Sequence, residues 1–140
     1  MTDMVFELAV PVRYLEVDQQ GVVFNMWYLA WFDEALTAFL AARGLTYAAL
    51  MAAGHDMQLV HTGVDWHGGV RYGDAVRVAV STARIGRASY TVDFQVRRDD
   101  EAVVDARTVY VNVALDGSGA RPIPPELLAA LGEPQPLRPV

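Results

Sequence analysis

The sequence predicts an α+β fold in which one strand and one long helix precede a run of antiparallel strands. An amphipathic helical pattern occupies residues 25–43, directly after a short strand pattern. From Gly54 onward, apolar residues recur at every second position instead of every third or fourth. Short turn sequences separate the later strands, which is typical of antiparallel connections.

The first element is a strand over residues 5–13, whose alternate positions are apolar. Pro11 lies within it, and because proline cannot donate a ladder hydrogen bond, this strand is expected at a sheet edge or at a bulge. Residues 16–23 should form a loop that turns at Gly21. Asn25 is a good N-cap residue for the following helix, and Gly44 stands where a C-terminal cap belongs.

The remaining elements follow from the same patterns. A short helix over residues 46–53 ends at Gly54, and one terminal helix with proline at its start falls within residues 122–131. Strands are predicted over residues 57–66, 75–84, 89–98 and 103–115, and the proline-rich tail of residues 134–140 should be irregular. Neither a repeat nor a linker divides the chain, so residues 1–140 are expected to form one domain. The single long helix can cover only one sheet face, so we expect the other to pack on another subunit.

Composition excludes several classes of function. The chain has 140 residues, 53% of them hydrophobic, and a net charge of −6, which is opposite to the balance of a nucleic-acid-binding protein. No apolar run reaches the roughly 18–20 residues that a membrane span needs. The acidic N-terminus lacks the basic region of a signal peptide, so a cytoplasmic location is expected.

The chain contains no cysteine, and all eleven basic residues are arginine. Thiolate nucleophiles, cysteine metal sites, Schiff-base chemistry and a P-loop lysine are therefore excluded. An anionic ligand must be held by arginine or by backbone N–H groups.

Asp18 stands just ahead of the glycine turn that leads into the long helix. A helix N-terminus gathers unpaired N–H groups and the positive end of the helix dipole. A carboxylate beside such donors is the minimum equipment for hydrolysing an acyl bond. The structural alternative is that Asp18 caps a turn or pairs with an arginine.

Two motifs carry a resemblance to a known family. Residues 12–23 read V-R-Y-L-E-V-D-Q-Q-G-V-V and residues 70–74 read V-R-Y-G-D. Together they resemble the 4-hydroxybenzoyl-CoA thioesterase family of hotdog-fold proteins, and the likeness extends over about residues 5–115. The resemblance implies a curled antiparallel sheet wrapped around a long central helix. It also implies pairing through the sheets, often into homotetramers, with active sites at the dimer interface that hydrolyse acyl thioesters.

The same resemblance implies three catalytic positions. Asp18 matches the acid that attacks the thioester carbonyl or activates water. Phe24 and Asn25 match the helix-start positions whose backbone N–H groups face the thioester oxygen. Many relatives carry histidine where Asn25 stands, so the chemistry here should depend more heavily on Asp18 and the backbone.

Substrate contacts are expected at further positions. Asp33 matches a helix acid that lies near the aromatic hydroxyl of hydroxybenzoyl substrates, although a solvated structural acid is the simpler interpretation. Glu16 could compete with Asp18, but its place in the motif is typical of a structural residue. Tyr28 is expected to line the acyl pocket, and the partner chain is expected to contribute His61 and Trp66 to it. Contacts to the phosphates of coenzyme A are expected at Arg84, Arg87 and Ser89.

His61, Asp65 and His67 share one face of a predicted strand, but a zinc site usually requires tighter geometry, so no metal is expected. His55 is expected in a loop. The sequence thus predicts a homo-oligomeric acyl-CoA thioesterase, a dimer or tetramer, with a coenzyme A thioester as substrate and without a cofactor. An acyl-carrier-protein thioesterase, a hotdog hydratase or dehydratase and a non-catalytic acyl-thioester binder remain as alternatives.

Overall fold

The computed structural model describes residues 4–139. A single 3-10 turn at Tyr14–Glu16 separates the first strand from the long helix. In chain order the elements are β1 (Phe6–Pro11), α1 (Trp27–Ala42), α2 (Tyr47–Ala52), β2 (His55–Trp66), β3 (Ala75–Ile85), β4 (Ser89–Arg98), β5 (Glu101–Ala114) and α3 (Pro125–Leu131).

The five strands form one antiparallel sheet in the order β1-β3-β4-β5-β2. The predicted edge position of the strand that holds Pro11 is confirmed, and β2 forms the opposite edge. The register shifts between Leu59 and His61, between Thr82 and Arg84 and between Val96 and Arg97. Such bulges bend the strands that carry them, so the sheet curves.

Helix α1 packs its wide apolar stripe against one face of this sheet. Phe32 stacks on Phe94 with ring centroids 4.9 Å apart, and Phe39 meets Phe6 edge to face at 5.8 Å. The residues of α1 that are buried are Tyr28, Trp31, Phe32, Ala35, Leu36, Phe39 and Leu40. The predicted α+β hotdog architecture is therefore confirmed.

The predicted N-cap of the long helix is wrong. Met26 is the cap residue, with helical dihedral angles and no side-chain cap. The Trp27 N–H donates to the Phe24 carbonyl at 3.0 Å. A turn therefore already exists before α1, so Asn25 lacks the place from which its side chain could cap the first turn. The C-terminal signal at Gly44 is confirmed, since the Leu45 N–H closes onto the Leu40 carbonyl at 3.0 Å.

His55 corrects a second expectation, because it is the first residue of β2 and not part of a loop. The long partner strand β5 runs on to Ala114, which pairs with His55 and extends β2. The short second helix is confirmed with Thr46 as its N-cap, and α3 carries Pro125 in its first turn.

Beyond α3, residues 134–139 are irregular and lie on the sheet face opposite α1, and Val140 falls outside the described residues. There the Leu137 N–H donates to the carboxylate of Asp93 at 2.9 Å. Asp93 is also held by the guanidinium of Arg107 at 2.7 and 2.9 Å. Among residues 4–139, no helix has both the length and the apolar character needed to cross a membrane.

Candidate active site

A cavity of about 450 Å³ opens where the loop after β1, the start of α1 and the end of β2 meet. We call it the Asp18 cavity. It gathers five of the side chains that the sequence predicted for the site, namely Asp18, Phe24, Asn25, Tyr28 and Trp66. Residues more than 40 positions apart in sequence are thus brought together.

Glu16 stabilises the loop that carries Asp18 but does not line the Asp18 cavity. Its side chain is only 2% exposed and accepts hydrogen bonds from the Trp31 indole at 2.9 Å and from the backbone N–H of Arg13 at 2.7 Å. Burial pushes its pKa upward, but these bonds and the Arg13 guanidinium outweigh burial, and the pKa falls below its usual value. This supports the structural interpretation of Glu16.

Asp18 is half-buried at the rim of a tight turn. One carboxylate oxygen accepts the Gln20 N–H at 2.8 Å, and the Asp18 carbonyl accepts the N–H of Gly21 at 3.0 Å. Gly21 has φ +80°, a conformation that glycine adopts without strain. The turn-capping alternative therefore holds for one oxygen. The other oxygen has no hydrogen bond, and no arginine pairs with Asp18, within residues 4–139.

The two predicted backbone donors differ in this structure. The Phe24 N–H donates to the Glu16 carbonyl at 2.8 Å and is therefore occupied. The Asn25 N–H has no acceptor in the described part of the chain. Of the two, Asn25 is thus the donor that is open to a ligand, while Phe24 lines the cavity.

Aromatic rings form the far wall of the Asp18 cavity. Tyr28 is 2% exposed and meets Trp66 edge to face with centroids 6.1 Å apart. Burial raises the pKa of the Tyr28 hydroxyl, so it stays protonated at neutral pH. Trp66 is 48% exposed at the end of the edge strand.

Asp33 lies in a second cavity of about 310 Å³, which we call the Asp33 cavity. The Tyr110 hydroxyl donates to Asp33 at 3.4 Å. Burial raises the pKa of Asp33, although the bond from Tyr110 acts in the opposite direction. The other lining residues are Leu36, Thr37, Tyr47, Met57 and Leu59.

Sequence reasoning missed Tyr110. It sits within a long apolar strand pattern, and only the register between β5 and β2, which sets it opposite Leu59, brings it to this cavity. The one available signal was a tyrosine hydroxyl between two valines of a largely apolar strand pattern.

The predicted phosphate contacts lie at the other end of the protomer. Arg84, Arg87 and Ser89 flank the turn between β3 and β4. Tyr90, beside that turn, and Val96, at the level of Trp66, are six residue steps apart along β4, a distance of about 20 Å. No carboxylate among the described residues pairs with Arg84 or Arg87.

His61 is exposed and, beyond the bulge in β2, lies on the strand face opposite Trp66. His67 contacts Asp105 at 3.0 Å, and Asp65 pairs with Arg138 at 3.0 Å. Within residues 4–139, no three histidine or carboxylate side chains are grouped so that they could hold a metal ion.

Comparison with known proteins adds four findings. The sequence model of the thioesterase-like superfamily matches residues 12–131. A 1,4-dihydroxy-2-naphthoyl-CoA hydrolase of Synechococcus elongatus is 23% identical over 129 residues, which cover 91% of this chain and 93% of the relative. A hypothetical protein of Aquifex aeolicus has a crystal structure with TM-score 0.86 and 27% identity, covering 90% of this chain and 98% of the other.

A 1,4-dihydroxy-2-naphthoyl-CoA thioesterase of Synechocystis superposes with TM-score 0.82 at 21% identity, covering 91% and 96% of the two chains. At that identity the likeness concerns the fold alone.

Proposed function

Because the chain belongs to the thioesterase-like superfamily and is a thioester hydrolase, we propose that it cleaves acyl- or aroyl-coenzyme A thioesters in the Asp18 cavity. The observation that carries this proposal is one shared cavity for the partly unpaired Asp18 carboxylate and the open Asn25 N–H. The relative named as a 1,4-dihydroxy-2-naphthoyl-CoA hydrolase supports an aromatic acyl group. Assignment to the 4-hydroxybenzoyl-CoA branch is finer than the superfamily match and stays a prediction.

The substrate carbonyl would accept a hydrogen bond from the Asn25 N–H, which lies two residues before α1. Asp18 would attack the carbonyl carbon as a nucleophile or remove a proton from the attacking water. As the tetrahedral intermediate collapses, the carbon–sulfur bond breaks and coenzyme A leaves as the thiolate. On the nucleophilic route water would then hydrolyse the anhydride between the acyl group and Asp18 and so regenerate the carboxylate, whereas on the general-base route water itself forms the new carbon–oxygen bond. The helix N-terminus carries partial positive charge of about +0.5, and one such donor is typically worth about 10²–10³ in rate.

We propose that two protomers complete each site by pairing their β2 edges. Strand β2 is 12 residues long and leaves Leu59, Val60 and Trp66 44%, 52% and 48% exposed. An open, apolar edge of this length favours pairing with another strand. Leu59 lines the Asp33 cavity and Trp66 lines the Asp18 cavity. Antiparallel pairing would therefore bring the Asp18 cavity of one protomer to the Asp33 cavity of its partner.

This arrangement gives roles to the separated residues. The Asp33–Tyr110 pair in the partner subunit would bind a hydroxyl at the distal end of an aroyl group. The turn between β3 and β4 is at the same end of the sheet as Tyr110, so Arg84, Arg87 and Ser89 would arrive with that cavity. Arginines without a carboxylate partner suit the phosphates of coenzyme A.

Thiol release from a panel of aliphatic and aromatic coenzyme A esters tests the proposal. Native protein should hydrolyse at least one ester, and Asp18→Asn should lose most of the activity. Asp100→Asn, in the exposed turn between β4 and β5, is the matched carboxylate control. Native protein that releases no thiol from any ester would overturn the coenzyme A assignment. An Asp18→Asn variant as fast as native would overturn only the role of Asp18.

A further inference from the structure

Arg98, the last residue of β4, reaches the wall of the Asp18 cavity although it does not line it. Its guanidinium donates a hydrogen bond to the carbonyl of Gly69. It also lies 3.8 Å from Glu101, a largely exposed carboxylate. The side chain thus ties a sheet end to the segment Gly68–Gly69, which forms one side of the cavity.

Gly69 in turn sets the position of the loop that carries Asp18. A Cβ atom on Gly69 would lie 2.9 Å from Cγ1 of Val22, so only glycine permits this approach. The Val22 carbonyl accepts the N–H of Asp18 at 2.9 Å. One residue further, the Val23 N–H donates to the carbonyl of Val70 at 2.8 Å. An unbroken series of contacts therefore leads from Arg98 to Asp18.

We propose that Arg98 is a positioning residue for the thioesterase reaction, which holds Asp18 in place through the contact between Gly69 and Val22. Two consecutive glycines have little conformational preference of their own. A hydrogen bond from a charged donor is stronger than one from a neutral donor and fixes their direction. This inference rests on the proposed function, because it assigns Arg98 to the same site.

The neighbouring arginine provides a matched comparison. Arg97 hydrogen-bonds the side-chain oxygen of Gln95 at 2.9 and 3.1 Å and pairs with Glu7 at 3.4 Å. None of these partners lines the Asp18 cavity. Arg97→Gln therefore removes a charge of the same sign, from the next residue, without touching the proposed series of contacts.

Steady-state thiol release separates positioning from substrate binding. Arg98→Gln should lower kcat by about 10- to 100-fold, the scale expected when a reacting group is misplaced by about 1 Å, with little change in KM. Arg97→Gln should retain native kcat. Added guanidinium should partly restore the kcat of Arg98→Ala. Native kcat in Arg98→Gln, or a loss that appears equally in Arg97→Gln, would overturn the proposal.

A second variant tests the route of the effect. Gly69→Ala should also lower kcat, and combining it with Arg98→Gln should cost less than the product of the two losses, because both act on one contact. Fully multiplicative losses would contradict the shared route. If Arg98→Gln does not fold, two other variants replace it in the comparison of kcat values. They are Arg98→Lys, which keeps a charged donor, and Gly69→Ala.

Amide hydrogen exchange gives a readout that does not need the reaction. The Val23 N–H should exchange about tenfold faster in Arg98→Gln than in native protein and at the native rate in Arg97→Gln. Equal protection in all three proteins would overturn the positioning role. Absence of thiol release by native protein would instead overturn the proposed function and leave this structural result standing.

Discussion

The hydroxyl of Tyr110 lies 3.4 Å from the carboxylate of Asp33 and links β5 to α1 inside the Asp33 cavity. Tyr110 also stacks on Tyr90, with centroids 5.6 Å apart, which fixes the plane of its ring. Leu36, Met57 and Leu59 supply apolar lining around this pair. An apolar lining with one carboxylate acceptor is the basis on which we propose that this cavity binds an aromatic acyl group that carries a hydroxyl.

Asp33→Asn should change the preference among substrates. A hydrogen bond to a charged group contributes about 1.5–3 kcal/mol and one to a neutral group about 0.5–1.5 kcal/mol, so replacing the carboxylate by an amide should cost about 1–1.5 kcal/mol when the ester carries a hydroxyl. We expect kcat/KM to fall roughly 5- to 10-fold for hydroxylated aroyl-CoA esters and to change little for benzoyl-CoA. Glu34→Gln, the next residue on the exposed side of α1, is the control. An equal loss on both kinds of ester would contradict a role in recognising the hydroxyl.

The same carboxyl group predicts a pH-dependent stability. Burial raises the pKa of Asp33 in the folded protein, so folding favours its protonated form. Its favourable contribution is complete below the pKa of the unfolded chain and is lost as pH rises through the folded value. Asp33→Asn should therefore raise Tm at pH 7, and the gain should vanish near pH 3, as thermal unfolding at both pH values would reveal. A gain in Tm that is larger at pH 3 than at pH 7 would contradict the predicted direction of the pH dependence.

Glu16 should behave in the opposite way, because its pKa is lowered on folding. Its contribution to stability is present above the unfolded pKa and is lost as pH falls through the folded value. Glu16→Gln weakens charge-assisted bonds to Trp31 and Arg13 and should cost about 1.5–3 kcal/mol at pH 7. Urea unfolding should show that the difference in the free energy of unfolding between Glu16→Gln and native protein becomes smaller as the pH is lowered. Glu126→Gln, on the exposed side of α3, should show neither effect.

The edge strand provides a test of the two-chain site. Val60 lies at the bulge of β2 and is 52% exposed in the protomer. Val60→Asp would place a charge within the proposed pairing of two β2 strands, where it would be desolvated. Sedimentation should show that the Val60→Asp variant dissociates into monomers, and the variant should lose thiol release in parallel. Leu128→Asp, on the exposed side of α3, is the control for a charge at an exposed apolar position. Full activity in a monomeric Val60→Asp variant would rule out a site built from two chains.

Local patterns predicted the elements because apolar periodicity and turn residues act over short distances. The long helix, the edge strand with Pro11 and the four later strands were all found in this way. The position of Asp18 beside the helix start was equally local, since fewer than ten residues separate it from Asn25. The N-cap at Asn25 failed because the preceding turn, closed by the Phe24 carbonyl, displaced the cap to Met26.

By itself, the sequence determined the α+β order of elements and the contiguous stretch that sets a carboxylate before a helix N-terminus. Only the tertiary structure decided which distant groups join that stretch. Strand register placed Tyr110 beside Leu59 and Asp33, and the end of β4 placed Arg98 on Gly69. Such contacts depend on the pairing and curvature of whole strands, which no local pattern encodes. The tertiary structure also decided which backbone donor stays open, because it pairs the Phe24 N–H with the Glu16 carbonyl and leaves the Asn25 N–H without an acceptor among the described residues.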